Sequence, residues 1–120
     1  MSDCIFCKIV KGTIPSKKVY EDDELLAFRD SMPVAPVHIL LIPKKHIQSL
    51  LHTETEDSAM LGRLMNKAGE LAKEPGLLSP NGCGESGARF VINAGRDAKQ
   101  SVDHLHIHIL GGRSFGWPPG

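Results

Sequence analysis

The run His104-Leu105-His106-Ile107-His108-Ile109-Leu110, closed by Gly111-Gly112, constrains this chain more than any other stretch. Strict alternation of imidazole and aliphatic side chains is the period of a β-strand. The spacing therefore predicts a strand with His104, His106 and His108 on one face and Leu105, Ile107 and Ile109 on the other. At a rise of roughly 3.3 Å per residue, neighbouring imidazoles start about 6.6 Å apart, close enough for two of them to touch one phosphate-sized group. A solvated strand face or a metal-chelating patch would read the same way. Three rings of one uncommon type at unbroken period favour a functional site.

A strand of this kind needs partners, and the chain supplies them in order. Lys18 to Glu21 and Leu25 to Arg29 read as a hairpin around Asp22-Asp23. Val37 to Ile42 is nearly continuous apolar sequence between Pro36 and Pro43, with His38 on the same face as Leu40 and Ile42. A lone histidine there is most often a hydrogen-bonded core residue, and the histidine row offers partners if the two strands are neighbours. Ala88 to Asn93 is a further strand, preceded by the glycine-rich loop Asn81 to Gly87 and followed by a loop through Lys99, Gln100 and Ser101. That loop brings a cation, a hydroxyl and backbone amides beside the histidines, a combination able to cradle a phosphate.

Two helices complete the set. Ile5, Phe6, Ile9 and Val10 share one side of a short helix, with Ser2 or Asp3 as cap and Gly12 as stop. Leu61, Leu64, Met65, Ala68, Leu71 and Ala72 follow helical spacing, which predicts a long helix over 54–73 with Thr53 and Glu56 as capping box and Pro75-Gly76 as terminator. At that spacing the methionines read as core.

A chain of 120 residues suits a single domain, 1–120, whose modest core would gain from pairing with a second copy. Fourteen basic side chains balance fourteen acidic ones, so the long-range attraction that a nucleic acid polymer requires is absent. No apolar run approaches the roughly 20 residues of a membrane span and no secretion signal is visible, so a cytoplasmic protein with no membrane partner is expected. The cysteine count is 3. Two of these, in Cys4-Ile5-Phe6-Cys7, point in a reducing compartment to thiols or a metal site rather than a disulfide, although a cysteine beside Ile5 and Phe6 also serves as a small buried hydrophobe.

The His-φ-His-φ-His-φ-φ run, φ being apolar, resembles the signature of the histidine triad (HIT) family of nucleotide hydrolases and transferases. Asp22-Asp23, Phe28-Arg29-Asp30, Ala35-Pro36-Val37-His38, Ile42-Pro43-Lys44-Lys45-His46, Asn93, Gln100-Ser101 and Trp117-Pro118-Pro119-Gly120 extend the resemblance, over nearly the whole chain, to the branch called histidine triad nucleotide-binding proteins. Three positions depart from that branch: Ala98 and Lys99 stand where small glycines often precede the glutamine, and Asp103 replaces an aromatic residue.

The resemblance implies an α+β fold, an antiparallel sheet of about five strands with one long and one short helix, two copies forming one continuous sheet. It implies an apolar wall for the base from Ile5, Phe6 and Ile9, with Phe28, Arg29 and Leu40 nearby. Asp30 would take the ribose hydroxyls, although an ordinary turn aspartate would look the same. Asn93, Lys99, Gln100 and Ser101 would lie around the phosphate. His106 would attack the α-phosphorus, oriented by the backbone carbonyl of His104, with His108 hydrogen-bonding the phosphate or leaving atom and His38 in support. No cofactor is needed for that chemistry. Cys4, Cys7, His46 and His104 are the four positions that hold structural zinc in some relatives, and Trp117 would lie near the partner's site. The expected activity is hydrolysis of adenosine or guanosine 5′-phosphoramidates through a nucleotidyl-histidine. The alternatives are a dinucleoside polyphosphate hydrolase, or a nucleotide- or zinc-binding interaction module with incidental turnover.

Overall fold

The computed structural model describes residues 3–74 and 87–120. A short helix α1 (Ile5–Lys11) leads into strands β1 (Lys18–Glu21), β2 (Leu25–Arg29) and β3 (Val37–Pro43). The long helix α2 (Ser58–Lys73) follows, then β4 (Arg89–Val91) and β5 (Ile107–Gly111). The five strands form one antiparallel sheet in the order β1-β2-β3-β5-β4. The expected α+β architecture is thus present. The β1–β2 turn is made by Asp22, whose Oδ1 accepts the backbone N–H groups of Glu24 (2.8 Å) and Leu25 (2.7 Å), the local bonding that makes aspartate a turn residue.

The two-residue period splits the sheet into two unlike faces. Leu25, Ala27, Ile39, Leu41, Ile107 and Ile109 point to one side and pack on Met60, Leu64, Ala68, Leu71 and Ala72 of α2. Leu26, Phe28, Leu40 and Ile42 point to the other side and meet Phe6 and Ile9 of α1. His38 and His108 belong by parity to this second face, and Leu40 pairs with His108 while His38 pairs with Leu110. The two histidines are therefore diagonal neighbours across adjacent strands, within side-chain reach.

Several expectations need correction. The strand starts only at Ile107, so His104, Leu105 and His106 precede it and the histidines do not form one continuous strand row. Their departure is anchored: the Leu105 N–H donates to the Ile47 carbonyl at 2.7 Å, a bond outside the sheet ladder. The cap of α1 is neither Ser2, which lies outside the described residues, nor Asp3, but Cys4, whose Sγ accepts the Cys7 N–H at 3.4 Å. Gly12 ends that helix as expected, at φ +82°.

The long helix begins at Ser58 after a 3₁₀ turn, Thr55–Asp57, and the capping box belongs to that turn, joining Glu54 and Asp57 instead of Thr53 and Glu56. Asp57 wins because Lys45 also binds its Oδ1 at 2.7 Å, tying the turn to the end of β3. Met60 is core as expected, but Met65 is 56% exposed and does not belong to the core. The strand expected over 88–93 is regular only from Arg89 to Val91. The Pro75-Gly76 stop and all but the last residue of the Asn81 to Gly87 loop lie outside the described residues. Among the described residues no helix is long and apolar enough to cross a membrane.

Candidate active site

On the α1 face a cavity of about 810 Å³ opens between α1, the start of β1, the end of β2 and the histidine segment. Its apolar wall contains Ile5, Phe6, Ile9, Phe28 and Leu40; Arg29, Asp30, Ser101, His106 and His108 supply the polar side. Such a mixture, one apolar end and a few convergent polar groups, is that of a small-molecule site. Ile14, Pro15, Ser16 and Lys17 also line it, and sequence reasoning missed them because a segment between elements has no periodicity to betray which side chains face inward. Ser16 carries a buried hydroxyl with no hydrogen-bond partner among the described residues.

The imidazoles are ordered by a chain of hydrogen bonds that assigns each tautomer. The Val34 N–H donates to Nδ1 of His38 at 3.2 Å, so the His38 proton sits on Nε2. That Nε2 lies 2.8 Å from Nδ1 of His108 and 3.3 Å from Oδ2 of Asp30. His108 therefore accepts at Nδ1 and carries its own proton on Nε2. Nδ1 of His106 lies 2.7 Å from the His104 carbonyl oxygen, which can only accept, so His106 donates there and keeps a lone pair on Nε2. Two neighbouring rings, 4.8 Å apart between centroids, thus face the cavity in complementary states, a bare nitrogen beside an N–H.

Burial keeps these rings neutral. It pulls the proton affinity of His38, His104 and His106 below the ordinary histidine value of 6.5, outweighing for His106 its bond to the His104 carbonyl. His108 falls furthest, to about 4, by burial first and then by the neighbouring His106 and His38. At neutral pH the site therefore offers uncharged nitrogen donors and acceptors, as a nucleophilic imidazole requires.

The loop residues divide. Ser101 lines the cavity, whereas Lys99, Gln100 and Asn93 do not. Gln100 is committed to the loop itself: its Oε1 accepts the Gly95 N–H at 2.9 Å, and its Nε2 donates to the carbonyls of Gln48 (2.7 Å) and Val102 (2.9 Å). Lys99 adopts the left-handed conformation at φ +66°, which explains why glycine suits this position. Asp30 lines the cavity while its Oδ1 accepts the Met32 N–H at 2.8 Å.

A second cluster lies behind Phe6. Nε2 of His104 is 2.8 Å from the Pro43 carbonyl oxygen and so carries the proton, leaving a lone pair on Nδ1. That Nδ1 is 3.4 Å from Sγ of Cys4 and 3.7 Å from Sγ of Cys7, and Cys7 Sγ is 3.3 Å from Nδ1 of His46. All four ligand atoms lie within 4.8 Å of one another. Bonds of 2.0 to 2.3 Å at tetrahedral angles put ligand atoms roughly 3.3 to 3.8 Å apart, so the two-sulfur, two-nitrogen set fits a zinc-sized ion in identity and spacing. Burial and the adjoining Cys4 raise the Cys7 thiol above its usual value, so a cation is what would favour its thiolate. Asp30, His38 and His108 are also mutually close, but there the His38 Nε2–H already donates to His108 Nδ1 at 2.8 Å, with Asp30 Oδ2 3.3 Å from the same nitrogen.

The comparisons with known proteins agree with this geometry. The HIT domain pattern matches residues 11–115. An uncharacterized HIT-like protein of Synechocystis is 52% identical over 118 residues, 98% of this chain and 97% of that protein. Protein HitA of Neisseria gonorrhoeae is 47% identical over 111 residues, 92% of this chain and 97% of that protein. The crystal structure of a HIT family hydrolase from Legionella pneumophila superposes with a TM-score of 0.90 at 45% identity, covering 98% of this chain and 100% of that one. The expected α+β sheet, the paired imidazoles and these likenesses converge: the chain belongs to the HIT domain family.

Proposed function

We propose that this protein is a purine nucleoside phosphoramidase of the histidine triad nucleotide-binding branch, working through a nucleotidyl-His106 intermediate. The observation that carries the reading is the tautomer pair, a bare Nε2 on His106 beside an Nε2–H on His108, at the polar end of a cavity whose other end is apolar. The base stacks against Ile5, Phe6 and Ile9, held by burial and without reading of its edge. Asp30 accepts the ribose hydroxyls through lone pairs left over from its bonds to Met32 and His38.

Nε2 of His106 attacks the α-phosphorus, the P–N bond to the amine breaks, and water later releases the nucleoside monophosphate. Charge gathering on the phosphate oxygens meets preset donors, the His108 Nε2–H and the Ser101 hydroxyl. The amine departs with the proton of the His108 Nε2–H, and a proton taken up from solvent restores that imidazole to neutrality; the His38 Nε2–H, donating to His108 Nδ1, keeps the ring oriented for the transfer.

Zinc held by Cys4, Cys7, His46 and His104 would have a full tetrahedral shell of protein ligands and so would supply rigidity, not a reactive water. Two copies would pair along the edge of β4 that no described strand covers, where Phe90 is exposed, continuing the sheet and bringing the exposed Trp117 toward the partner's cavity. A cytoplasmic location belongs to the same reading. The test is a competition between adenosine 5′-phosphoramidate and diadenosine tetraphosphate. Preferred release of AMP from the amide supports the assignment; faster cleavage of the tetraphosphate would replace it with a dinucleoside polyphosphate hydrolase, and turnover of neither would leave a binding module.

A further inference from the structure

We infer that Cys4 and Cys7 are positioning residues for His106: with a metal ion shared by His46 and His104 they hold the carbonyl that sets the tautomer of the attacking ring. This rests on the reading of His106 as nucleophile.

The carbonyl in question is that of His104, 2.7 Å from Nδ1 of His106. It precedes β5, which begins at Ile107, so no sheet ladder dictates where it points. Three bonds hold the residue in part: the His104 N–H donates to the Val102 carbonyl at 2.8 Å, the Leu105 N–H to the Ile47 carbonyl at 2.7 Å, and the His104 ring is pinned at Nε2 by the Pro43 carbonyl at 2.8 Å. The other ring nitrogen faces the two sulfurs at 3.4 and 3.7 Å. A metal there turns a loose contact into a bond, and the ring that it fixes belongs to the residue whose carbonyl orients the nucleophile.

A second path starts from the same sulfur. Cys4 caps α1 by accepting the Cys7 N–H, and α1 carries Phe6. The Phe6 ring meets His104 edge-on at 5.9 Å, His106 at 5.2 Å and Phe28 at 5.5 Å between centroids. The cluster therefore bears on the nucleophile through its hydrogen-bond acceptor and through the ring that walls it in.

A staple that only stabilised the fold would change unfolding but not the protonation pattern of a ring outside it. The experiment is nitrogen-15 spectroscopy of the His106 ring at pH 7.5, on zinc-loaded protein, on protein stripped by chelator, and on Cys7→Ala, which removes a ligand while keeping the Cys4 cap. Zinc-loaded protein should show one tautomer, protonated at Nδ1. Stripped protein and Cys7→Ala should show both tautomers, with formation of nucleotidyl-His106 slowed about tenfold or more and AMP affinity changed less than about threefold. Should the stripped forms unfold, exchange of zinc for the larger cadmium keeps the site filled, and the His106 nitrogen signals should move on exchange.

A single Nδ1–H tautomer and an unchanged nucleotidylation rate in folded protein without metal would overturn the inference, as would His106 signals indifferent to cadmium, or protein that retains no zinc when purified without chelator. Absence of any adduct on zinc-loaded protein would instead defeat the nucleophile assignment beneath it.

Discussion

On the side of the sheet covered by α2, the strands present Leu25, Ala27, Ile39, Leu41, Ile107 and Ile109; on the side covered by α1, the same strands present Leu26, Phe28, Leu40 and Ile42 alongside His38 and His108. One residue of register separates the two environments, since Ile39 and Ile109 face the α2 side while their neighbours His38 and His108 lie on the other, where His108 lines the cavity and His38 backs it. The dry side gives rigidity to strands whose other side must hold unprotonated nitrogen near a ligand. Stability and chemistry are thus written on alternate residues, and substitutions should sort by parity.

The largest separation comes from His106→Ala, which removes the attacking atom and leaves the base and ribose contacts. Turnover should fall at least about ten-thousand-fold while AMP affinity stays within about tenfold, by steady-state assay and calorimetry. Replacing His108 removes one donor and should cost less, about a hundred- to a thousand-fold. Retention of most turnover by His106→Ala would dissolve the distinction between the two faces.

Leu41→Ala is the matching break on the dry side. Leu41 is fully buried against α2, and its truncation should lower stability by about 2 to 5 kcal/mol in denaturant melts, a large part of what a small domain possesses. The molecules that remain folded should turn over substrate at close to the parent rate.

Acid sharpens the comparison. His38, His104, His106 and His108 all have proton affinities depressed by burial, His108 to about 4 from 6.5. Below about 6.5 the unfolded chain binds protons that the folded chain refuses, so these groups favour folding fully above that pH and their contribution is lost as pH falls toward 4. The thermal midpoint should decline across that window. His108→Gln should flatten the decline, whereas Leu41→Ala should lower the whole curve without changing its slope.

Much of this was legible in the chain. The hairpin, β3 and the inward stripe of α2 follow from period and turn chemistry, and His38 beside His108 follows from parity once the strands are neighbours. What escaped is non-local or irregular. Alternation from His104 to His108 cannot say where a strand starts, and the bond from Leu105 to Ile47 that delays it joins distant residues. Cys4 as helix cap escaped because Ser2 and Asp3 are the ordinary capping residues there, and only the folded backbone brings the Cys7 N–H onto a sulfur. Gln100 looks like a ligand contact because nothing local reveals that its amide is used up bracing the loop.

The smallest effect tests that loop. Lys99 holds φ +66°, a conformation costing a residue with a side chain about 1 to 2 kcal/mol, so Lys99→Gly should be neutral to stabilising by about 1 kcal/mol after the glycine's added unfolded-state freedom is subtracted. Turnover should be unchanged, as Lys99 does not line the cavity.

The central claim is that the bare Nε2 of His106 becomes covalently bound to phosphorus. Rapid-quench intact-mass measurement of protein mixed with an adenosine 5′-phosphoramidate tests it most directly. One added adenylyl group is expected, mapped to His106 and absent from His106→Ala. Full turnover with no adduct at any quench time, or an adduct that persists in the alanine variant, would contradict it.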